Sequence, residues 1–519
     1  MEVVQGRALL VNTKSPAKIT QVIQKSKVVA QAGDISQVLV HWSLGNSHIL
    51  KNLGFKKVLS PILQQYDWPG IYKPFNHQRD TASFLTLNRK CFCFNEQGTG
   101  KTNSVIWAAD YLLKTEVIRR VLIICPLSIM DCAWRSDLFK TAMHRRVGIA
   151  HGSREKRIEV IKSRAEFVII NYDGIEVVQD EIAKGRFDLI VCDEATALKN
   201  PKTRRWKALN GLIRPDTWLW LLTGTPAAQS PEDAYGLAKI VNPASVPSYG
   251  GAWKDKVMYK VTQFKWVPKP ESQALVHQVL QPAIRYSKEE CLDLPEMLYS
   301  TREVEMTSQQ KKYYDTLRRE MLIQAAGEEV SAVNAAVQMG KLLQISAGSC
   351  YADTGEVIEF DASSKLSELL NVIQEASHKT LVFCSYQHSI ALVQNFLNKH
   401  KISCETIHGG VTANKRTDIF NRFQKQADPQ VLIIQPQAAA HGVTLTAANT
   451  VCWFSPTTSA ESYLQANARV HRAGQRNPCL VVHLCSSPVE KKLYQALEDR
   501  TLAQGNLLDM FRNFLGGGL

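Results

Sequence analysis

Along residues 91–222, short runs of consecutive apolar residues alternate with longer stretches whose apolar positions recur every three or four residues. Unbroken apolar runs mark strands buried on both faces, and the helical period between them marks helices laid over those faces. The pattern predicts parallel strands at 91–94, 121–125, 167–171, 189–192 and 218–222. A second set follows at 381–384, 404–407, 431–434, 451–454 and 480–484. Each run ends in small or polar residues, and open parallel sheets bind ligands beyond those ends. The expected class is α/β with two lobes, each a parallel sheet carrying helices on both faces.

The first 70 residues read differently. Apolar runs at 8–11 and 38–42 flank a segment expected to be helical, with Ser15 as N-cap and Pro16 in its first position. Residues 1–70 are thus predicted to form a small α+β accessory domain, closed by the turn cluster Asp67-Trp68-Pro69-Gly70. Lys51, Lys56 and Lys57 within it read as a solvated face, with phosphate contact as the alternative. The first lobe is expected over 71–245. A connecting or protruding region of short helices, rich in proline and aromatics, is expected over 246–300. The second lobe should occupy 301–501, with a long helix at 308–326, and a frayed tail 502–519 ends in three glycines.

A chain of 519 residues is too long for one core, and its 45% hydrophobic and 21% charged residues are ordinary for a globular protein. Its net charge of +14 is less ordinary and favours a polyanionic partner. Twelve cysteines are scattered without any C-x-x-C pair, which reads as reduced, packed thiols rather than a zinc site or disulfide framework. No signal peptide and no apolar run long enough for a bilayer is found, so the expected location is the cytoplasm, without a membrane partner.

The candidate chemistry lies at the strand ends. NEQGTGKT at residues 95–102 joins a strand to a helix. Gly98 and Gly100 permit a turn whose N–H groups face a phosphate, Thr99 lies between them, Lys101 reaches the β- and γ-phosphates, and Thr102 ligates Mg²⁺. Asn95 stands where the strict motif has its first glycine. Asp193 and Glu194 end another strand, the first suited to hold Mg²⁺ and the second to activate water. Thr223, Gly224 and Thr225 follow the next strand and are read either as γ-phosphate sensors or as a capped turn. In the second lobe, Arg469 and Arg472 stand three apart on an expected single helix face. They are read as arginine fingers, with a surface stripe as the alternative.

These motifs, in this order, resemble superfamily 2 helicase-like ATPases and, within them, the Swi/Snf type of DNA translocase. The resemblance covers about residues 74–500 and is carried by DEATALKNP (193–201), LTGTP (222–226) and QANARVHRAGQ (465–475), with weaker support from RYSKEECLDLPE, HGGVTANKR and AAHGVTLTAANTV. It implies two RecA-like lobes with ATP between them and duplex DNA, with branched or forked DNA as the alternative, lying across both. It also implies a monomer using ATP and Mg²⁺, Gln78 reading adenine, Gly442 at the nucleotide and Gln465 in the catalytic set. Contact with the DNA backbone, or coupling to it, would fall to Pro126, Ser128, Thr223, Thr225, Ser385, His408, Gly409 and Thr444. Thr196, His441 and the Ser455-Pro456-Thr457-Thr458 turn depart from the family pattern. With no chromodomain-like, bromodomain-like or zinc-finger extension, the form is most like bacterial or bacteriophage members. The leading expectation is an ATP-driven motor on double-stranded DNA. The alternatives are a strand-separating helicase or fork remodeller and, in another class, an ATP-gated DNA clamp.

Overall fold

The structure, a computed structural model, describes residues 1–224, 226–227, 230–261, 266–291, 294–327, 332–351, 356–439, 443–472 and 474–499. Residues 1–226, 234–250 and 274–291 form one compact unit; 227–233, 251–273 and 292–519 form a second.

The first unit opens with an antiparallel sheet of β1 (Glu2–Val4), β2 (Ala8–Thr13), β3 (Ser26–Ala32) and β4 (Ile35–His41), in the order β1-β2-β4-β3. Its alternate residues Leu9, Val11, Val38 and Val40 point inward onto Ile19, Ile23, Trp42 and Leu50. The helix expected after Ser15 is only one turn, Ala17–Thr20, with Pro16 as its N-cap and no side-chain cap. Most of that stretch is instead given to β3, because Val28 and Val38 pair across strands. Lys51, like Lys56 and Lys57, is exposed, as the solvated-face reading expects. Its ammonium also donates to the Leu87 carbonyl at 2.9 Å and to Asn88, and partial burial of that group lowers its pKa.

The main sheet of this unit contains β5 (Lys90–Cys93), β6 (Val121–Cys125), β7 (Val147–Ala150), β8 (Phe167–Asn171), β9 (Leu189–Asp193) and β10 (Trp218–Leu222). A short strand reached much later, β13 (Ala283–Ile284), completes it, and the order is β13-β5-β10-β9-β6-β8-β7 with every pair parallel. β5 and β6 follow one another in sequence but are separated in the sheet by β9 and β10. Between them the strand order reverses, which is where such sheets take ligands.

In the second unit a two-stranded hairpin, β11 (Met258–Lys260) and β12 (Trp266–Pro268), precedes the parallel sheet. That sheet comprises β14 (Met297–Glu303), β17 (Lys379–Phe383), β18 (Cys404–Ile407), β19 (Val431–Ile434), β20 (Ala448–Trp453) and β21 (Cys479–Cys485), in the order β14-β21-β20-β17-β19-β18. A small ribbon, β15 (Ser349–Tyr351) with β16 (Val357–Glu359), follows the helices Ser308–Gly327 and Ala332–Ser346. Successive residues of the sheet serve two cores. Leu381, Phe383, Val451 and Trp453 face one; Val382, Cys384, Cys452 and Phe454 face the other. This two-sided burial is what the unbroken apolar runs predict, and the two α/β lobes stand as expected. The hairpin corrects the expectation of short helices alone over 246–300. The tail 502–519 lies outside the described residues. Among the described residues no helix is long and apolar enough to cross a membrane.

Candidate nucleotide-binding site

Three neighbouring strands of the first main sheet end level: Leu222 of β10 pairs with Cys93 of β5 on one side and with Asp193 of β9 on the other. Their loops therefore emerge together, with strands about 4.8 Å apart. The glycine loop leaves β5, and Gly98 (φ +88°) and Gly100 (φ +78°) occupy the left-handed region. A Cβ on Gly100 would lie 2.0 Å from Gln78 Nε2, so the position also lacks room for a side chain. The helix Lys101–Lys114 starts immediately afterwards, placing Thr102 in its first turn. Lys101 Nζ donates to the Asn95 carbonyl at 2.6 Å, bracing the loop from inside.

Gln78 lies against this loop from the helix Asn76–Thr86. Its Nε2 donates to the Thr99 carbonyl at 3.1 Å, and its Oε1 accepts from Phe75 N–H at 3.0 Å. His77 Nε2 is 2.8 Å from the same Thr99 carbonyl, and Thr99 itself is buried. Asn95 explains its own departure from the motif. Its φ is not positive, so glycine is not required there. Its Nδ2 donates to Thr81 Oγ1 at 2.8 Å and its Oδ1 accepts from Tyr286 N–H at 3.1 Å, tying the loop to a helix and to the segment after β13. Asn95→Gly, which restores the strict motif, is expected to lower stability by about 2 kcal/mol, because two buried partners lose their bonds. An unchanged urea midpoint would remove Asn95 from this bracing role.

At the end of β9, Asp193 Oδ2 accepts from Trp134 Nε1 at 2.9 Å and Oδ1 accepts from Glu194 N–H at 3.0 Å. The Asp193 carbonyl accepts from the buried Tyr172 hydroxyl at 2.8 Å, and burial pushes the Tyr172 pKa far up, so the phenol remains a donor. Glu194 has φ +51° and ψ +54°, a left-handed backbone that costs a glutamate on the order of 1 kcal/mol. Such strain at a strand end suits a residue whose aim matters more than its local comfort. Trp134 was not legible as a site residue. It sits in the π-helical stretch Met130–Arg135, a geometry frequent at functional sites, yet a lone tryptophan in an apolar pattern reads as core.

Thr223 N–H donates to the Cys93 carbonyl at 3.1 Å, and the Gly224 backbone passes close to Gln97 and Asn95, so this turn packs on the glycine loop. Thr225 lies outside the described residues. Pro126 and Ser128 follow β6, whose Ile124 pairs with Cys192, and so share the same sheet end. The donor set suits magnesium: a threonine hydroxyl and an aspartate carboxylate are hard oxygens, and Mg²⁺ commonly takes one or two protein ligands with substrate phosphates completing its shell.

In the second unit, β17, β18 and β19 also end level, Phe383 and Ile407 both pairing with Ile434. Ser385 and His408-Gly409 lie just beyond. Ser385 Oγ donates to the Pro456 carbonyl at 2.7 Å and its N–H to Ser455 Oγ at 2.8 Å, so the atypical Ser-Pro turn is what seats it. His408 Nδ1 accepts from Gly410 N–H at 3.2 Å, while Arg416 donates to the carbonyls of His408 and Gly409 at 2.9 and 3.2 Å. Thr444 is exposed and belongs with the arginines instead. Leu445 N–H donates to the Arg469 carbonyl at 2.9 Å, and Arg472 Nη1 donates to the Val443 carbonyl at 3.2 Å. Gly442 and His441 lie outside the described residues.

The expected single helix through Arg469 and Arg472 is not found. The helix is Ala460–Asn467, capped by Ala468, and both arginines sit in the turns that follow. Two side chains pull the backbone out of the helix. Asn467 Oδ1 accepts from Trp453 Nε1 at 3.1 Å, and Gln475 Nε2 donates to the carbonyl of Ala448 at 2.8 Å and of Val470 at 3.3 Å. Gln465 remains on the helix, buried, with its Nε2 donating to Glu461 Oε1 at 3.1 Å. Arg469 is 6% exposed and Arg472 half-buried.

Residues 39–350 match the SNF2-related domain, and residues 363–474 match the helicase conserved C-terminal domain. The chain belongs to the SNF2-related family. Among the relatives of this SNF2-related chain is an uncharacterized ATP-dependent helicase of Mycoplasma genitalium, 26% identical over 409 residues, covering 77% of this chain and 38% of the relative. A chromodomain-helicase-DNA-binding protein 1-like of Danio rerio is 25% identical over 477 residues, covering 85% of this chain and 45% of its own. The SNF2-related chain thus spans less than half the length of these two relatives. Among solved structures, the Sulfolobus solfataricus SWI2/SNF2 ATPase core in complex with dsDNA aligns at 21% identity and a TM-score of 0.42, covering 87% of this chain and 96% of that one.

Proposed function

We propose that this SNF2-related chain is a motor that hydrolyses ATP to ADP and phosphate and uses the energy to move along double-stranded DNA. The observation that carries the reading is the level ending of β5, β10 and β9. It gathers the glycine loop, the Thr223-Gly224 turn and the Asp193-Glu194 pair at one sheet end.

In this reading the N–H groups after Gly98 and Gly100 and the start of the helix Lys101–Lys114 hold the phosphates, and Gln78 borders the site on the adenine side. Lys101 exchanges its loop carbonyl for phosphate oxygens. Thr102 and Asp193 are the protein ligands of Mg²⁺, which when bound supplies positive charge to the phosphates. Trp134 fixes the Asp193 carboxylate, and Glu194 orients the attacking water and takes its proton. Arg469 and Arg472 stabilise charge on the transferred phosphate. Pro126, Ser128, Thr223, Thr225, Ser385, His408, Gly409 and Thr444 touch the DNA backbone or couple to it. The net charge of +14 supports a phosphate track.

The test is the ATPase rate measured in parallel without nucleic acid and with single-stranded DNA, duplex DNA, a branched junction and RNA. Duplex DNA is expected to stimulate most. Affinity should fall with a log–log salt slope of about −0.9 per neutralised phosphate, nearly independently of sequence. A triplex-forming third strand should be displaced while a blunt duplex stays paired. Efficient unwinding of a tailed duplex, with the triplex untouched, would overturn the translocase reading in favour of a helicase.

A further inference from the structure

The β11–β12 hairpin takes no part in the parallel sheet, yet its base is firmly built. Trp253 is buried and its indole N–H donates to the Pro231 carbonyl at 3.2 Å; Val257 and Met258 are buried beside it. Lys254 Nζ lies 3.1 Å from Glu232 and 4.5 Å from the centre of the Trp266 ring, and Lys269 N–H donates to the Val257 carbonyl at 2.9 Å. The pairing of Tyr259 with Val267 sets these two on one face of the ribbon. That face is open. Tyr259 is 52% exposed, Val267 38%, and Val261, just past the strand, 58%.

A cation stands on this apolar face. Lys269 Nζ stands 5.2 Å from the centre of the Tyr259 ring while donating to the Asp255 carbonyl at 2.6 Å, which leaves two of its three N–H groups for other partners. Lys256, in the helical turn leading into β11, is exposed; Lys260 is exposed too, but it pairs with Trp266 and belongs to the opposite face of the ribbon. A rigid exposed ring beside an ammonium group suits a polyanion that also offers flat apolar surfaces. Duplex DNA presents phosphates but keeps its base faces stacked inside. An unpaired strand presents both. An acidic peptide would use the lysines and leave the ring idle.

We propose that the β11–β12 hairpin docks an unpaired strand of DNA, with one base stacked on Tyr259 and neighbouring phosphates held by Lys256 and Lys269. The proposal rests on the DNA-motor reading and deepens it, because a duplex motor with such a site is directed to junctions where a strand has come free.

The experiment uses the full chain, a polyglutamate peptide as acidic control and three fluorescent DNA probes: a single-stranded oligo(dT), a blunt duplex and a duplex with one single-stranded arm. Tyr259→Ala should weaken oligo(dT) binding on the order of tenfold. Blunt-duplex affinity and duplex-stimulated ATPase should stay within about twofold. Tyr259→Phe, which keeps the ring, should bind oligo(dT) as the parent does. Lys256→Ala combined with Lys269→Ala should make the salt slope for oligo(dT) shallower by about 0.7 per contact removed. Unchanged oligo(dT) affinity in Tyr259→Ala, or equal loss on all three probes, would overturn the docking site. So would loss of polyglutamate binding with oligo(dT) affinity intact, which would assign the face to an acidic protein. If no DNA stimulated the parent's ATPase while Tyr259-dependent oligo(dT) binding persisted, the motor reading would fail and the docking site would stand.

Discussion

Glu194→Gln should bind ATP as tightly as the parent and hydrolyse it about 10² to 10⁴ times more slowly. The substitution preserves the size of the side chain and its backbone requirement, already met at φ +51° by a residue that is not glycine. It removes the carboxylate's charge and with it the ability to accept a proton. Glu194 N–H still donates to Asp193 Oδ1, so the neighbouring carboxylate keeps its geometry. Lys101→Ala provides the contrast. That lysine contributes charge to the complex before any bond is broken, so its loss should appear mainly as weaker nucleotide binding. A nucleotide titration and a single-turnover hydrolysis assay on the same preparations separate the two. Glu194→Gln turning over at the parental rate would exclude it as the base.

Arg469→Ala and Arg472→Ala should each reduce hydrolysis on the order of 10³-fold while leaving DNA binding in place. The two variants differ usefully in structure. The contact from Arg469 to Leu445 is made by its carbonyl, which alanine retains, whereas Arg472→Ala loses the guanidinium bond to the Val443 carbonyl. Arg469 is itself buried, so a melting temperature is measured alongside the rate for both variants. Slow hydrolysis with a parental melting temperature in Arg469→Ala identifies a group acting on the phosphate. Normal hydrolysis in both variants would reduce the pair to a structural role and leave the second unit without an assigned part in the chemistry.

Central strands were legible because burial on both faces leaves an unbroken apolar run, as in Leu189–Asp193 and Val431–Ile434. Edge strands were legible only in part: β18, at Cys404–Ile407, was, while β7, β13 and β14 were not. β14 carries Ser300, Thr301, Arg302 and Glu303 on a largely exposed rim, and β13 is two residues long. The hairpin escaped because Pro268 and Pro270 argue against a strand, although Pro268 is tolerated at a strand end on an open edge. At the site, glycine and acid spacing exposed the residues proposed to contact phosphate and metal. Of the groups that hold them, Trp134, Asn95 and Gln475 were missed because each bonds a residue far off in the chain, and no local period records such a bond; Arg416 bonds the nearby turn at His408 and Gly409, which has no period of its own. The end of the helix before Arg469 was missed for the same reason.

The completion of the first main sheet by β13 also has a bearing on how the protein is made. β5 is not flanked on its outer side until residues 283–284 have emerged, and the bond from Tyr286 to Asn95 spans 191 positions. At roughly 5–20 residues per second, translation needs about 10–40 s to supply that partner. Throughout that interval the glycine loop lacks one of its two Asn95 braces, and β5 shows an unsatisfied edge to whatever is nearby. The strand that begins the phosphate loop is thus among the first of its sheet to be synthesised and among the last to be enclosed. A nascent chain at this stage is an expected client for a ribosome-associated chaperone.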